Sequence, residues 1–332
     1  MELNYRYQKN GRIEGFLRRI EIAKGIIEFL PELPNLEKNL RRKSLLKSSL
    51  FSARIEGNRL NYEGIRFEDG RLKTTNVEKI EVFNIFKALS WIYSLNSPKR
   101  LTESLILKLH KMVMKNLFSP MGAFRKESSA IFNQAGVAIY LPPSPLIVPS
   151  LMKKLIEEVN YSKESFPVKA AIFHFSFEKI HPFLDGNGRV GRLLATFILK
   201  QGRFDFRGLL SLDEYLEKNR ESYYQFLAIS KKNITPFVEF FLEAIAEQAE
   251  KTIASLKDID QEREEDSLLP RRREILEIIK DHQIVSFDFI SRRFSKIAPS
   301  TLHYDLSKLM GEGFIKKLGS TRGARYLARD ST

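Results

Sequence analysis

The sequence predicts a mainly α-helical protein with one short β-hairpin and a small C-terminal domain. Three observations lead to this prediction. Apolar residues recur at spacings of three and four along most of residues 15–256, which is the period of an amphipathic helix. Prolines and glycines interrupt this pattern between Phe118 and Pro149. After Pro270 the predicted helices become short, and two strand-like runs follow them.

The composition is that of a globular protein with room for about two domains. Its 332 residues are 43% hydrophobic and 29% charged, which allows a sizeable core. The chain has no cysteine, which excludes disulfides and thiolate metal sites. No apolar run approaches the ~18 residues of a membrane span, so we expect a cytoplasmic protein that does not enter a membrane.

The charge is strongly positive and limits the choice of partners. Lys and Arg number 55 and Asp and Glu 41, which gives a formal net charge of +14. Such a field attracts nucleotides, nucleic acid or acidic proteins. A solvated basic surface without a specific partner is the alternative, since composition does not locate the charges.

Residues 1–98 are predicted to be a helical N-terminal region, and residues 99–256 a helical core. Within the core, Thr102 has the residue type of a helix N-cap. The runs 129–132 and 137–141 flank Asn133-Gln-Ala-Gly136 and predict the hairpin. The core helices are expected over residues 101–117, 148–159, 167–180, 189–200, 215–230 and 236–256.

Residues 257–269 are charge-rich and predicted to be a linker or an extended helical connection, followed by a domain at 270–332. Its helices at 271–281, 287–294 and 300–310, followed by strands at 314–318 and 325–327, suggest a winged helix-turn-helix. Residues 271–329 hold 13 Lys or Arg against 6 Asp or Glu, and concentrated basic charge in such a fold favours DNA. A protein-interaction or dimer module is the alternative.

The segment from His181 to Arg192 carries the strongest chemical signal, because it lies between two predicted helices. Gly186-Asn187-Gly188 would lie at a helix N-terminus, where free N–H groups bind phosphate and glycine allows close approach. Taken singly, these residue types are common in turns and helix caps.

Further residues of the same segment supply the other requirements of nucleotidyl transfer. Asp185 offers a hard oxygen ligand for Mg²⁺. Arg189 and Arg192 stand three apart on one helix face and could both reach an anionic chain. His181 can take a proton from a hydroxyl near neutral pH. A base, a metal ligand, an anion cradle and two cations therefore occur within twelve residues.

This segment resembles the Fic (filamentation induced by cAMP) family motif, His-x-Phe-x-Asp/Glu-Gly-Asn-Gly-Arg-x-x-Arg, at every fixed position. Flanking segments also resemble the family, and the resemblance covers roughly residues 40–245. It implies a Fic-type helical core that transfers AMP from ATP to a Ser, Thr or Tyr hydroxyl of a protein, with release of pyrophosphate. The target would be another protein or the chain itself.

The resemblance also implies a role for each motif residue. His181 would be the base, and Asp185 would hold Mg²⁺ or Mn²⁺ against the α- and β-phosphates. Arg189 and Arg192 would bind the β- and γ-phosphates. The hairpin would align the target segment by strand addition. The anion hole would be formed by Gly186, Asn187 and Gly188.

Two further implications concern the nucleotide. Family members that act as kinases have Lys where this chain has Gly188, so AMP transfer is favoured over phosphate transfer. Asn219 and Tyr223 or Tyr224 are candidates for contacts with adenine, with core packing or helix stacking as their alternative. The sequence does not identify the residues that would bind the nucleotide base, so transfer of UMP is an alternative.

A second segment, Ser52-x-x-x-Glu56-Gly57, resembles the family's inhibitory motif. By that resemblance Glu56 would pair with Arg192 and obstruct the γ-phosphate, since a guanidinium that binds phosphate also accepts a carboxylate. An ordinary charged residue at a helix end is the alternative. Removal of AMP, a nucleotide-sensing DNA-binding regulator and a homodimer are further hypotheses that the sequence leaves open.

Overall fold

The computed structural model describes residues 5–30, 34–61, 74–132, 138–229, 232–266, 268–295, 297–319 and 324–328. It divides into two compact units, Met1–Ile253 and Ala254–Thr332. Within the described residues, no helix is long and apolar enough to cross a membrane. The predicted hairpin turn, residues 133–136, lies outside the described residues.

The first unit is built from helices, in agreement with the predicted fold class. They are α1 (Gly11–Phe29), α2 (Pro34–Ile55), α3 (Val77–Ile92), α4 (Glu103–Val113), α5 (Val148–Tyr161), α6 (Phe166–Ile180), α7 (Asn187–Gln201), α8 (Leu212–Lys218), α9 (Arg220–Leu227) and the first part of α10 (Thr235–Asp266). A two-stranded antiparallel ladder joins β1 (Ile131–Phe132) to β2 (Ala138–Tyr140), with Ile131 opposite Tyr140.

Helices α6 and α7 form the centre of this unit and carry the His181–Arg192 segment between them. The side chains of Phe173, Phe175 and Phe177 have no exposed surface, and burying each one contributes roughly 1.5–3 kcal/mol. Because α6 is apolar on several sides, other helices cover most of its surface. The segment that follows is therefore anchored at both ends in the core.

Several predicted boundaries differ from the structure; the helix expected over 101–117, for example, ends at Val113. The helix expected over 215–230 is two helices, because the amide of Asn219 donates to the carbonyl of Tyr215 and its backbone leaves helical geometry. Helix α10 continues to Asp266, so of the two alternatives predicted for this segment, a linker or an extended helical connection, the structure shows the helical connection. Helix α7 begins at Asn187, two residues earlier than predicted, because Gly186 takes the capping conformation.

The second unit contains the end of α10, then α11 (Pro270–His282), α12 (Phe287–Arg293) and α13 (Pro299–Gly311). Its strands are β3 (Ile284–Ser286), β4 (Ile315–Leu318) and β5 (Arg325–Ala328), in the order β3-β5-β4. Both pairings are antiparallel. Strand β3 was not predicted, since three residues are too few to show a period.

Candidate active site

His181 follows the last residue of α6 and takes a left-handed conformation, with φ 51° and ψ 61°. Its N–H still donates to the carbonyl of Phe177 at 2.9 Å, so the chain turns sharply as the helix ends. Burial lowers the pKa of the imidazole to about 4, and the positive charge of Arg125 acts in the same direction. At neutral pH the ring is uncharged and can accept a proton.

The segment after His181 is held by the side chain of Asn187, which is 2% exposed. Its amide oxygen accepts from the N–H of Phe183 at 2.9 Å, and its amide nitrogen donates to the carbonyl of the same residue at 2.8 Å. These two hydrogen bonds close the loop into a fixed turn. The side chain is committed to the loop, so only the backbone of Asn187 is available to an anion.

Two glycines allow close approach at the start of α7. Gly186 has a φ of +83°, and a Cβ there would lie 2.6 Å from the sulfur of Met114. At Gly188 a Cβ would lie 2.3 Å from Oε1 of Glu56. The first-turn N–H groups of a helix have no partner within it, and the dipole makes this end attractive to anions. In this structure the carboxylate of Glu56 lies against that end.

Arg189 bridges two carboxylates. Its Nη2 donates to Oδ1 of Asp185 at 2.7 Å, and its Nη1 donates to Oε1 of Glu81 at 2.5 Å. The Arg189 side chain is 8% exposed, whereas that of Asp185 is 48% exposed. Asp185 therefore combines a fixed position with access from solvent. Glu81, on α3, was not singled out in the sequence, because a glutamate on an amphipathic helix carries no distinguishing signal.

Arg192 is bound by the two residues predicted from the inhibitory motif. Its Nε donates to the hydroxyl of Ser52 and its Nη2 to the Ser52 carbonyl, both at 2.9 Å. Nη2 also donates to Oε1 of Glu56 at 2.9 Å. The Arg192 side chain is 2% exposed and that of Glu56 is 29% exposed. The structure thus brings Ser52, Glu56 and Arg192 together in one cluster.

The charges of this cluster balance one another. Burial acts to raise the pKa of Glu56, but Arg192 and Arg189 outweigh it and hold that pKa below its usual value. A second carboxylate, Asp213 at the start of α8, lies 3.2 Å from Nε of Arg192. Arg192 therefore keeps a counterion even when Glu56 is absent.

The three residues named as candidates for adenine contacts lie on α9 or at its start. The amide of Asn219 donates to Tyr215 in the break between α8 and α9. Tyr223 is 1% exposed, and its hydroxyl lies 2.7 Å from Nε2 of His174. In this conformation its ring packs in the core and offers no surface to a nucleotide. Tyr224 is 42% exposed and donates to the carbonyl of Ile55 at the end of α2.

Two buried residues outside the motif fix its backbone. Both lie in flanking segments that resemble the family, but the sequence analysis assigns neither of them a role. His110 on α4 stacks on Phe183 with ring centroids 3.7 Å apart. Its Nδ1 accepts from the N–H of Gly122 at 2.8 Å, which leaves Nε2 to donate to the carbonyl of Asp185 at 3.1 Å. Arg125 donates through Nε to the carbonyl of His181 at 2.8 Å.

The Fic/DOC family matches residues 100–199, which contain the whole segment just described. Among its relatives, a protein of Aquifex aeolicus (strain VF5) named a probable protein adenylyltransferase is 32% identical over 174 residues. The match covers 50% of each chain. Protein adenylyltransferase Fic of Drosophila willistoni is 28% identical over 248 residues, 71% of this chain and 46% of that protein.

Solved Fic structures share the fold. A Fic family protein from Desulfovibrio desulfuricans G20 superimposes with a TM-score of 0.67 at 24% identity and covers 98% of both chains. Fic-1 of C. elegans, residues 134–508, has a TM-score of 0.59 at 23% identity and covers 74% of this chain and 73% of its own. The chain spans about half the length of the relatives it matches by sequence.

Proposed function

We propose that the protein transfers AMP from ATP to a Ser, Thr or Tyr hydroxyl of a protein. The observation that carries the proposal is an uncharged His181 in the fixed loop that leads to the N-terminus of α7. Two buried arginines, Arg189 and Arg192, lie in the first turns of that helix. The target oxygen attacks the α-phosphorus, and His181 takes the hydroxyl proton. The bond between the α-phosphorus and the bridging oxygen breaks, and pyrophosphate leaves. Such chemistry depends on positioning and charge stabilisation more than on covalent work by the protein.

The residues present fit a divalent cation, Mg²⁺ or Mn²⁺. Asp185 is a hard oxygen donor, half-exposed and held in place by Arg189 at the start of α7. Mg²⁺ is usually bound through one or two carboxylates together with substrate phosphates. When bound, the ion would neutralise charge on the phosphates. The N–H groups of Gly186, Asn187 and Gly188, with Arg189 and Arg192, would orient the nucleotide.

We also propose that the structure represents an inhibited state. Glu56 occupies two features that an ATP phosphate needs, since its carboxylate lies against Gly188 and binds Nη2 of Arg192. A carboxylate and a phosphate compete for the same guanidinium donors. ATP would therefore bind in the productive pose only after Glu56 moves away. Glu81 engages Arg189 in the same manner, so both cationic groups are occupied.

Isotope transfer tests the reaction class directly. Wild type, Glu56→Gly and His181→Ala are each incubated with Mg²⁺ and ATP labelled at the α- or the γ-phosphate. We expect protein-bound label from the α-position only, strongest in Glu56→Gly and absent in His181→Ala. Label from the γ-position alone would identify a kinase and refute AMP transfer.

Two related activities are tested in the same system. Replacing ATP by UTP labelled at the α-phosphate asks whether the enzyme transfers UMP instead. Incubating AMP-modified target with wild type and Glu56→Gly asks whether Glu56 supports removal of AMP, in which case wild type would release label faster. A chain that labels itself would serve as its own target, and gel filtration of the labelled product would test the homodimer prediction.

A second function, DNA binding by residues 270–329, is favoured by the orientation of α13. Asp305, the acidic residue that would oppose DNA from this helix, is 0% exposed. It points inward and accepts from Nε of Arg271 at 2.5 Å and Nε of Arg272 at 3.0 Å. The exposed face carries hydrogen-bonding and basic side chains: Ser300, His303, Tyr304, Ser307 and Lys308. Helices of this kind read base edges in the major groove.

Salt-dependent binding of the full chain to duplex DNA tests this function. Lys316 and Lys317 on β4 are exposed, and Lys316→Gln/Lys317→Gln should make the slope of log K against log salt less negative by about 0.9 for each phosphate contact that is lost. Lys153→Gln/Lys154→Gln, an adjacent exposed pair on α5, is the matched control. The function would be refuted if the full chain did not bind DNA at low salt. It would also be refuted if the β4 variant and the α5 control changed the salt dependence equally. A regulator that senses nucleotide would bind DNA with an ATP-dependent affinity and show no label transfer.

A further inference from the structure

The backbone around His181 is enclosed by donors from the segment that carries the β1–β2 ladder. Four consecutive carbonyls, at residues 179–182, each accept a hydrogen bond from that segment. Tyr140 Oη donates to Lys179 at 2.9 Å and Arg125 Nη2 to Ile180 at 3.5 Å. The Nε and the backbone N–H of Arg125 donate to the next two carbonyls, of residues 181 and 182, at 2.8 and 2.9 Å.

We call these two side chains, Arg125 and Tyr140, the collar. The last carbonyls of a helix have no partner within it and form the negative end of its dipole. The collar supplies those partners and adds a positive charge at the same end. It therefore replaces the stabilisation that α6 would otherwise lose where the chain turns at His181.

Arg125 also reaches the residues on either side of the ladder. Its Nη1 donates to the carbonyl of Glu127 at 3.0 Å, and its Nη2 donates to the carbonyl of Pro143. The residue is 4% exposed, and burial lowers its pKa. These contacts are all with backbone carbonyls. Burying a charge is costly. Here the buried guanidinium of Arg125 connects His181 to strand β2, which precedes Pro143.

The conformation of His181 needs such external support. A non-glycine residue at φ 51° is disfavoured and persists only where its surroundings hold it. We propose that Arg125 and Tyr140 are positioning residues, which hold the His181 backbone in its reactive orientation and join it to strand β2. This inference rests on the proposed AMP transfer, in which β2 would lie beside the target segment.

Kinetics of variants in the Glu56→Gly background test the collar. We expect Arg125→Lys and Arg125→Gln to lower kcat by about 10- to 100-fold, the size of a misplaced catalytic group. The KM for ATP should change less than about threefold, because the collar does not contact Arg189 or Arg192. Tyr140→Phe removes a single hydrogen bond and should lower kcat by about 2- to 10-fold. Tyr161→Phe, at a tyrosine that is 77% exposed, is the control.

Titration of the histidine rings by NMR provides a readout that needs no transfer activity. The chain has five histidines, and His181→Ala assigns the signal. Charged groups facing His181 are Arg125, Asp185 from its own loop and Glu56 from the end of α2, and Glu56 is absent from the parent. Arg125→Gln should move the His181 midpoint upward by about 1 pH unit, whereas Arg125→Lys keeps the charge and should leave it near the parent value.

The outcomes separate the two proposals. If Glu56→Gly transfers no label, AMP transfer fails, and the His181 midpoint still decides whether Arg125 holds the base. Should Arg125 variants not fold, Tyr140→Phe decides the matter through kcat. An unchanged His181 midpoint in folded Arg125→Gln, or parental kcat in Tyr140→Phe and Arg125→Lys, would overturn the collar.

Discussion

Replacing Glu56 with glycine is expected to tighten ATP binding by about 10- to 100-fold. Glu56 follows Ile55, the last residue of α2, so glycine at this position does not interrupt a helix. The change removes the carboxylate that lies against Gly188 and binds Arg192. Asp213 remains 3.2 Å from Nε of Arg192, so the buried guanidinium keeps a counterion and the fold should tolerate the substitution.

The magnitude follows from the hydrogen bond that ATP must displace. A hydrogen bond to a charged group contributes about 1.5–3 kcal/mol, and the 2.9 Å contact between Nη2 of Arg192 and Oε1 of Glu56 is of this type. Each 1.4 kcal/mol corresponds to a factor of ten in affinity. Removing the competition should therefore lower the dissociation constant for ATP by the stated factor.

Calorimetric titration of both proteins with ATP and with ADP measures the effect. ADP lacks the γ-phosphate that Glu56 is proposed to exclude, so its affinity should change much less than that of ATP. Glu56→Gln separates charge from shape, because it removes the negative charge and leaves a side chain of similar size beside Gly188. We expect this variant to fall between wild type and Glu56→Gly. Equal ATP affinity in all three proteins would refute the reasoning.

Four further predictions concern the same site. In Glu56→Gly, kcat/KM should fall with a midpoint at or slightly below about pH 4 as His181 gains its proton, because the negative charge of Glu56 raises this pKa and is absent from the variant. A midpoint near 6.5 would contradict the burial of His181. The pKa of His181 is lower in the folded than in the unfolded protein. Its contribution to the free energy of unfolding is therefore complete above about pH 6.5 and is lost as the pH falls toward 4. Urea unfolding across this pH range measures the loss. Gly186→Ala should lower the free energy of unfolding by about 1–3 kcal/mol because of its positive φ and the sulfur of Met114, whereas Gly25→Ala inside α1, where a Cβ meets nothing within 4 Å, should raise it by up to about 1 kcal/mol. Adding Glu81→Gln to Glu56→Gly should tighten ATP binding several-fold more by weakening the hold on Nη1 of Arg189, whose Nη2 still binds Asp185. The same effect from Glu78→Gln, whose carboxylate contacts the N–H of Arg59, would contradict a specific role of Glu81.

Much of the fold could be predicted because its signals are local. The apolar period gave the existence of most helices, and Thr102 caps α4 as predicted, accepting from the N–H of Leu105. The break at Asn219 was missed because it depends on a side-chain bond that competes with a continuous apolar pattern. Strand β3 was missed because it is short and exists through its pairing with β5.

The candidate catalytic groups can be recognised in the sequence alone, because His181 to Arg192 span twelve residues and two helices fix their spacing. The contacts of those groups depend on the tertiary structure. Glu56 and Arg192 lie 136 residues apart, and Glu81 and Arg189 lie 108 apart. Such pairs depend on how α2 and α3 pack against α7, which no local period encodes. Packing likewise turned the Asn187 side chain into its own loop and Tyr223 into the core, since burial is a property of the assembled helices.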